Sequence, residues 1–311
     1  MTPVSYIQFF ASRGAVRGRC YRNLMLSKGE CCDMSSAVLH GVPASGAEMI
    51  AEQFVRARLA GQSLPQYPGT VPTTLADAYR CQELAIDRFP DRIVGWKVAR
   101  IGAAFAQQFP EERLVGPVFA RNLHMARVGQ VVDFPLIEGG FGAVEAEIVL
   151  RVSEDAPANK KTWSIDEAAE MVRSFHLGVE TAVSPLATLN DLGPGAVISD
   201  FGNNWGVVVG ASIGEWRFIE EIVALTFIDD GFVGRGTAFI RQGALGALAF
   251  ALSKCAERGR PLRAGDFIST GAITGVHDIR VGQQSRHVFE GCGEIECRGV
   301  RAGQYLSGAA R

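Results

Sequence analysis

The segment from Ala143 to Val152, AVEAEIVLRV, dictates both its own conformation and what must surround it. Side chains alternate faces along a strand, so Val144, Ala146, Ile148, Leu150 and Val152 form one unbroken apolar face that has to lie on a core. Glu145 and Glu147 project together from the other face. Two carboxylates side by side repel each other unless something compensates them. A divalent cation does so, and hard cations such as Mg2+ take carboxylate oxygens. The plainer alternative is an amphipathic strand with its glutamates in water, and the strand alone supports both.

At 311 residues, 47% hydrophobic and 21% charged, the chain has material for a real core and length for one large domain or two smaller ones. A net charge of -2 gives no reason to expect nucleic acid or an anionic membrane as partner. No apolar run approaches the roughly 18 residues needed to span a bilayer. Seven cysteines, an odd number with no secretory signal, argue against a disulfide framework and for a reducing, cytoplasmic setting. Residues 1–33 differ from the rest: they carry Arg13, Arg17, Arg19, Arg22 and Lys28 with no acid before Glu30. Such a leader is an organelle transit peptide or, the reading we prefer, upstream sequence from a miscalled start with Met34 as first residue.

Hydrophobic periodicity predicts a helix over 45–59 and a second after Thr74, closed by Pro90, with a Pro/Gly-rich loop between. These make a small helical N-terminal cap, residues 34–92. Strand patterns follow at 93–98, 115–119, 131–134 and 143–152, then a helix over 164–175 opened by a Ser164/Glu167 capping box. Further strands are predicted at 177–183, 206–210 and 222–228, the last entering an Asp229-Asp230-Gly231 hairpin turn. A helix over 244–258 ends at Gly259; a turn at 263–266 leads into 267–269, and two short strands flank Gly291-Cys292-Gly293. Many short strands with few helices indicate an α+β fold with a rolled or barrel-like mixed sheet over 93–304.

A third acid, Glu180, lies near the start of a strand, and an E-x-E pair plus one separate carboxylate can hold one face of an octahedral ion. Gly95-Trp96-Lys97, the E-x-E strand, Gly178-Val179-Glu180, Ile198-Ser199-Asp200 to Gly210, Gly234-Arg235-Gly236 and Leu262 to Gly271 occur in a fixed order. In that order the chain resembles the 2-keto-4-pentenoate hydratases of the fumarylacetoacetate hydrolase superfamily, over roughly Ala51 to Val300. The resemblance implies a fumarylacetoacetate hydrolase-like fold, a homo-oligomer and a small 2-oxo acid substrate. It implies Mg2+ or Mn2+ on Glu145, Glu147 and Glu180, with Lys97 as the catalytic pocket lysine. It also implies that Gly116, Asn203, Asn204 and Thr270 contact the substrate. A cation beside Lys97 is expected to lower its pKa and let it exchange a proton.

The pattern also departs from the family. Leu114-Val115 stand where an acid usually precedes Gly116, with Glu111 and Glu112 at the wrong spacing; Arg241-Gln242-Gly243 replace a Gly-His-Pro turn, and Asp200-Phe201-Gly202 an Asp-Asn-Ala run. Arg241 pairs with a distal carboxylate or, preferably, caps the helix region. Gly231, Gly234 and Gly236 lack the Lys-Ser/Thr of a phosphate loop and read as backbone punctuation. His277 could approach the pocket, although a surface role fits it better. The implied activity is hydration of a 2-hydroxy-2,4-dienoate. The alternatives are decarboxylation of a 2-oxo-3-enedioate, C–C hydrolysis of an acylpyruvate, or a non-catalytic binding protein. Hydrolysis is disfavoured because no histidine lies between His40 and His124.

Overall fold

The computed structural model describes residues 45–308; the expectation for residues 1–33 lies outside them. Helix α1 (Gly46–Ala60) opens on a capping box, Ser45 with Glu48, and ends on left-handed Gly61. Helix α2 (Leu75–Arg88) is capped by Thr74, whose hydroxyl accepts from the Asp77 N–H at 3.1 Å. Their apolar residues Val55, Ala78 and Tyr79 share one core with Trp96 and Val98.

Thirteen strands follow in the described residues, in two sheets. They are β1 (Ile93–Arg100), β2 (Arg113–Phe119), β3 (Leu123–Met125), β4 (Val131–Leu136), β5 (Phe141–Val152), β6 (Val172–Ser184) and β7 (Asn204–Ile213). After these come β8 (Glu221–Ile228), β9 (Gly231–Phe239), β10 (Phe267–Ser269), β11 (His277–Asp278), β12 (Gln284–Phe289) and β13 (Gly293–Arg301). Helices α3 (Ile165–Glu170), α4 (Pro194–Ser199), α5 (Gly246–Glu257) and α6 (Ala302–Gly308) are interspersed. The larger sheet runs β2-β1-β10-β5-β6-β7-β3, with β11 added on β5; the smaller runs β4-β13-β12-β8-β9. β1–β10, β3–β7 and β4–β13 pair in parallel and the other neighbours antiparallel, so both sheets are mixed. The larger one curls until β2 meets the start of β7, where Asn204 Nδ2 donates to the Pro117 carbonyl at 2.7 Å. The fold is therefore the α+β mixed roll expected.

β5 behaves as its pattern requires: Val144, Ala146, Ile148, Leu150 and Val152 are fully buried in the main core. Two expectations fail. The helix predicted over 164–175 stops at Glu170; its capping box is present, but Val172 opens β6, pairing with Val152, while Phe175 pairs with Leu150 and stacks on Trp216 at 4.2 Å. Pairing with the full length of β5 outweighs the helical signal of one capped turn. The late helix begins earlier than position 244, with a wide π-type turn over Ile240–Leu245 leading into α5. Gly234 and Gly236, read as punctuation, lie inside β9.

Candidate metal centre

Antiparallel register places Glu145 directly opposite Glu180 and Glu147 opposite Gly178. β10 lies between β5 and β1, so Ser269 stands beside Val149 on one side and Lys97 on the other. All these side chains share the face turned into the curl. One carboxylate oxygen from each of Glu145, Glu147 and Glu180 lies within 4.8 Å of the others. The Lys97 Nζ reaches both oxygens of Glu180, at 3.1 and 3.2 Å. Glu147 Oε2 accepts from the Ser269 hydroxyl and from the Gly271 N–H at 2.9 Å, whereas its Oε1, fully enclosed, has no donor. Glu147 and Glu180 have no exposed surface, and Glu145 and Lys97 have only 6% and 3%.

Burial at this density changes the protonation of the group. Desolvation pushes Glu145 up to about 8, reinforced by Glu180 and opposed by Lys97. Glu147 is pushed up to about 7 by burial and then by Glu145, with Ser269 and Gly271 pulling back. Glu180 is pushed up to about 8 by burial, against Lys97. For Lys97 burial pulls downward, but the carboxylates Glu180, Glu145 and Glu147 outweigh it and hold the ammonium above its usual value. The lowering expected from the sequence is the effect of a cation beside Lys97 and applies to the metal-loaded site. Three carboxylates and one ammonium leave two negative charges, which a divalent cation balances. The donorless oxygen of Glu147 and the all-oxygen donor set fit a hard cation.

The cluster meets a cleft of about 620 Å3 through Glu145 and Lys97. Asn203 and Thr270 line it as well. Thr270 donates its hydroxyl to the Ile148 carbonyl at 2.8 Å; Asn203 donates its amide to Asn190 at 3.3 Å and keeps Oδ1 without a partner. Two expected substrate residues do not line the cleft. Asn204 is spent on Pro117, and Gly116 provides clearance: a Cβ there would fall 2.0 Å from the Phe201 carbonyl oxygen. That clearance admits a run of three left-handed residues, Phe201, Gly202 and Asn203, with φ of 55°, 71° and 63°. Gly202 is required twice, by its φ and because Lys97 Cε would lie 3.2 Å from a Cβ.

Arg58 of α1, absent from the sequence reading, clamps this run. Its guanidinium donates to Asp200 Oδ1 at 2.5 Å and to the carbonyls of Asn204, Val183 and Asp200 at 3.0, 2.9 and 3.2 Å, and it lies over the Phe201 ring. Ser269 was also missed, although it sits beside Thr270 in the same turn. Glu111 pairs with Lys254 at 2.7 Å and Arg241 with Asp166 at 2.7 Å, so neither faces this cleft. His277 hydrogen-bonds Thr274 and does not line it either.

No protein-family profile and no curated protein matches the chain. Solved structures do. The 4-oxalocrotonate decarboxylase of Pseudomonas putida G7, determined with calcium and acetate, superposes with a TM-score of 0.67 at 22% identity, over 82% of this chain and 97% of that one. The same enzyme with magnesium and adipate gives 0.67 at 21%. Fumarylpyruvate hydrolase from Pseudomonas aeruginosa, with Mn2+ and pyruvate, gives 0.51 at 20%, over 68% of this chain and 91% of that one. These are members of the fumarylacetoacetate hydrolase superfamily, and the likeness establishes that fold for this chain.

Proposed function

We propose that this chain is a divalent-metal-dependent enzyme that reacts a small 2-oxo acid through its enol form, with hydration of a 2-hydroxy-2,4-dienoate as its reaction. The observation that carries this reading is the buried set of Glu145, Glu147, Glu180 and Lys97, which meets the cleft through Glu145 and Lys97 and whose ionised carboxylates exceed its one ammonium by two negative charges. The three glutamates would hold Mg2+ or Mn2+, the ions expected from the sequence; similar folds have been determined with Ca2+, Mg2+ or Mn2+. Such a cation supplies Lewis acidity, favouring the charge that gathers on the 2-oxo oxygen.

The chain's own residues do the remainder. Ser269 and the Gly271 N–H fix Glu147, so one oxygen is oriented and the other left free. Lys97, held on Glu180, is the group placed to hydrogen-bond the substrate's oxygens and carry the proton that moves on or off carbon. Asn203 Oδ1 offers an acceptor to an enol hydroxyl. Residues 93–304 carry this chemistry in our reading, the helices within 45–92 cap it, and the assembly is a homo-oligomer, which sedimentation of the full chain would test.

A second reading, decarboxylation of a 2-oxo-3-enedioate, is favoured by a specific observation. Apart from Glu145, no carboxylate or histidine among the described residues lines the cleft to deliver water. Decarboxylation needs none: the C–CO2 bond breaks, its electron pair enters the enolate, and carbon later collects a proton. The same observation disfavours C–C hydrolysis, which must activate water.

The test is product analysis with and without Mg2+ or Mn2+. Conversion of 2-hydroxypenta-2,4-dienoate to 4-hydroxy-2-oxopentanoate is expected, lost on chelation and in Glu147→Gln. CO2 released only from 2-oxo-3-hexenedioate would replace hydration with the second reading. Turnover that ignores chelation would overturn both.

A further inference from the structure

The cleft that meets the metal centre continues beyond its own mouth. Phe239, the last residue of β9, and Gln242, in the wide turn that follows, line this cleft and also a second cavity of about 550 Å3. Both side chains are exposed, Phe239 by 53%, so the two hollows meet along the surface over this pair. The second cavity is walled by Trp216, Ile219, Ile240, Leu245 and, from α3, Ala169. Its walls are fixed: Trp216 stacks on Phe175 at 4.2 Å, and the Ile240 N–H donates to the Glu220 carbonyl at 2.9 Å.

The cations around this cavity are already engaged. Arg241 pairs with Asp166 at 2.7 Å, and Arg217 lies over the Trp216 ring at 4.3 Å. The acid that lines it, Glu220, disfavours an anion. What remains uncovered along the path is apolar. Val276, at the cleft, is 51% exposed, and Phe218, two residues from Trp216, is 84% exposed. Large apolar groups gathered on the surface mark a place that a ligand or partner covers. Here the surface is concave and runs on from buried acids, which favours a ligand over a second copy of the chain. Size points the same way: hollows of about 300–1,000 Å3 enclose ligands of drug size, far larger than a five-carbon oxo acid.

We propose that the substrate is a 2-oxo acid with a long apolar tail, alkyl or arylalkyl, which leaves the metal end, crosses Phe239 and lies in the second cavity. The placing of the oxo-acid head rests on the metal-centre reading above; the apolar tail site does not. Each methylene buried there is worth about fourfold in affinity, and a phenyl ring correspondingly more.

The experiment is calorimetric titration of the full chain, in the presence of Mn2+, with 2-oxo-6-phenylhexanoate and 2-oxohexanoate, which differ only in the terminal ring. Wild type should bind the arylalkyl acid at least about tenfold tighter. Ala169→Phe fills the second cavity from α3, and Phe239→Ala removes the apolar junction; in each the ratio of the two affinities should fall severalfold toward one. A wild-type ratio near one, or a ratio unchanged in these variants, would overturn the proposal, and where one variant does not fold the other decides. A sedimentation coefficient that drops in Phe239→Ala while the ratio stays at its wild-type value would assign the apolar patch to contact between copies, and overturns the proposal as well. Mn2+ affinity, measured without oxo acid and expected to fall in Glu147→Gln, tests the metal-centre reading separately. A tail preference in a protein that does not bind Mn2+ would remove that reading and support the tail site alone.

Discussion

Glu147 has one oxygen held by two donors and the other by none, a division that only its neighbours on β10 explain. On the proposed metal-centre reading, Ser269 therefore positions a ligand rather than forming part of the donor set. Outer partners of this kind cost about 10–100-fold in metal affinity when removed. Ser269→Ala should weaken Mn2+ binding within that range, with a thermal melt close to wild type when no cation is added; Ser269→Thr, which keeps the hydroxyl, should restore most of it. Unchanged Mn2+ affinity in the alanine variant would mean that the Gly271 N–H orients Glu147 alone. Residues of this sort are hard to read in advance. The E-x-E spacing announces Glu145 and Glu147 because strand geometry puts them on one face whatever the fold. Ser269 carries no such signature: it looks like an ordinary strand residue until sheet order brings β10 beside β5.

At the scale of elements, the site depends on a junction that local propensity opposes. Phe201 and Asn203 are held left-handed, each at a cost of roughly 1 kcal/mol or more. Arg58, nearly fully buried on α1, offsets that cost by binding Asp200 and three carbonyls around the run. Removing one partner of such a buried pair costs about 3–5 kcal/mol. Arg58→Ala should therefore lower unfolding free energy by that order in urea titration, and substrate affinity should fall even where the protein is still folded, because Gly202 and Asn203 line the cleft. A loss below about 1 kcal/mol would show that the clamp is incidental. The helix pattern of α1 was legible, with Ile50, Phe54 and Val55 of its apolar stripe buried. Its arginine was not, since one basic residue near a helix C-terminus is the commonest solvated arrangement. The same reasoning covers β6, where a capped turn was visible and the twelve partners on β5 that convert the following residues to strand were not.

For the molecule as a whole, the buried acids couple stability to pH in a direction opposite to ordinary surface carboxylates. Glu145, Glu147 and Glu180 ionise near 4.5 when unfolded but hold their protons to about 8, 7 and 8 in the fold. Between those limits the folded chain binds more protons than the unfolded one. The contribution of these groups is then complete below about pH 4.5 and is lost as pH rises through about 7 to 8. A divalent cation competes with the same protons, so its affinity must climb over the same range. Each tenfold gain in affinity adds about 1.4 kcal/mol of stability once the cation is in excess. Thermal melts of the cation-free protein should thus fall from about pH 5 to about pH 8, and added Mg2+ or Mn2+ should stabilise strongly at the higher value and little at the lower. The Glu145→Gln, Glu147→Gln double variant should lose most of the cation response and flatten the pH slope, since amides neither titrate nor supply anionic ligands. Equal stabilisation at both pH values, or a response undiminished in the double variant, would place the cation elsewhere and leave the cluster as a purely protonated buried network.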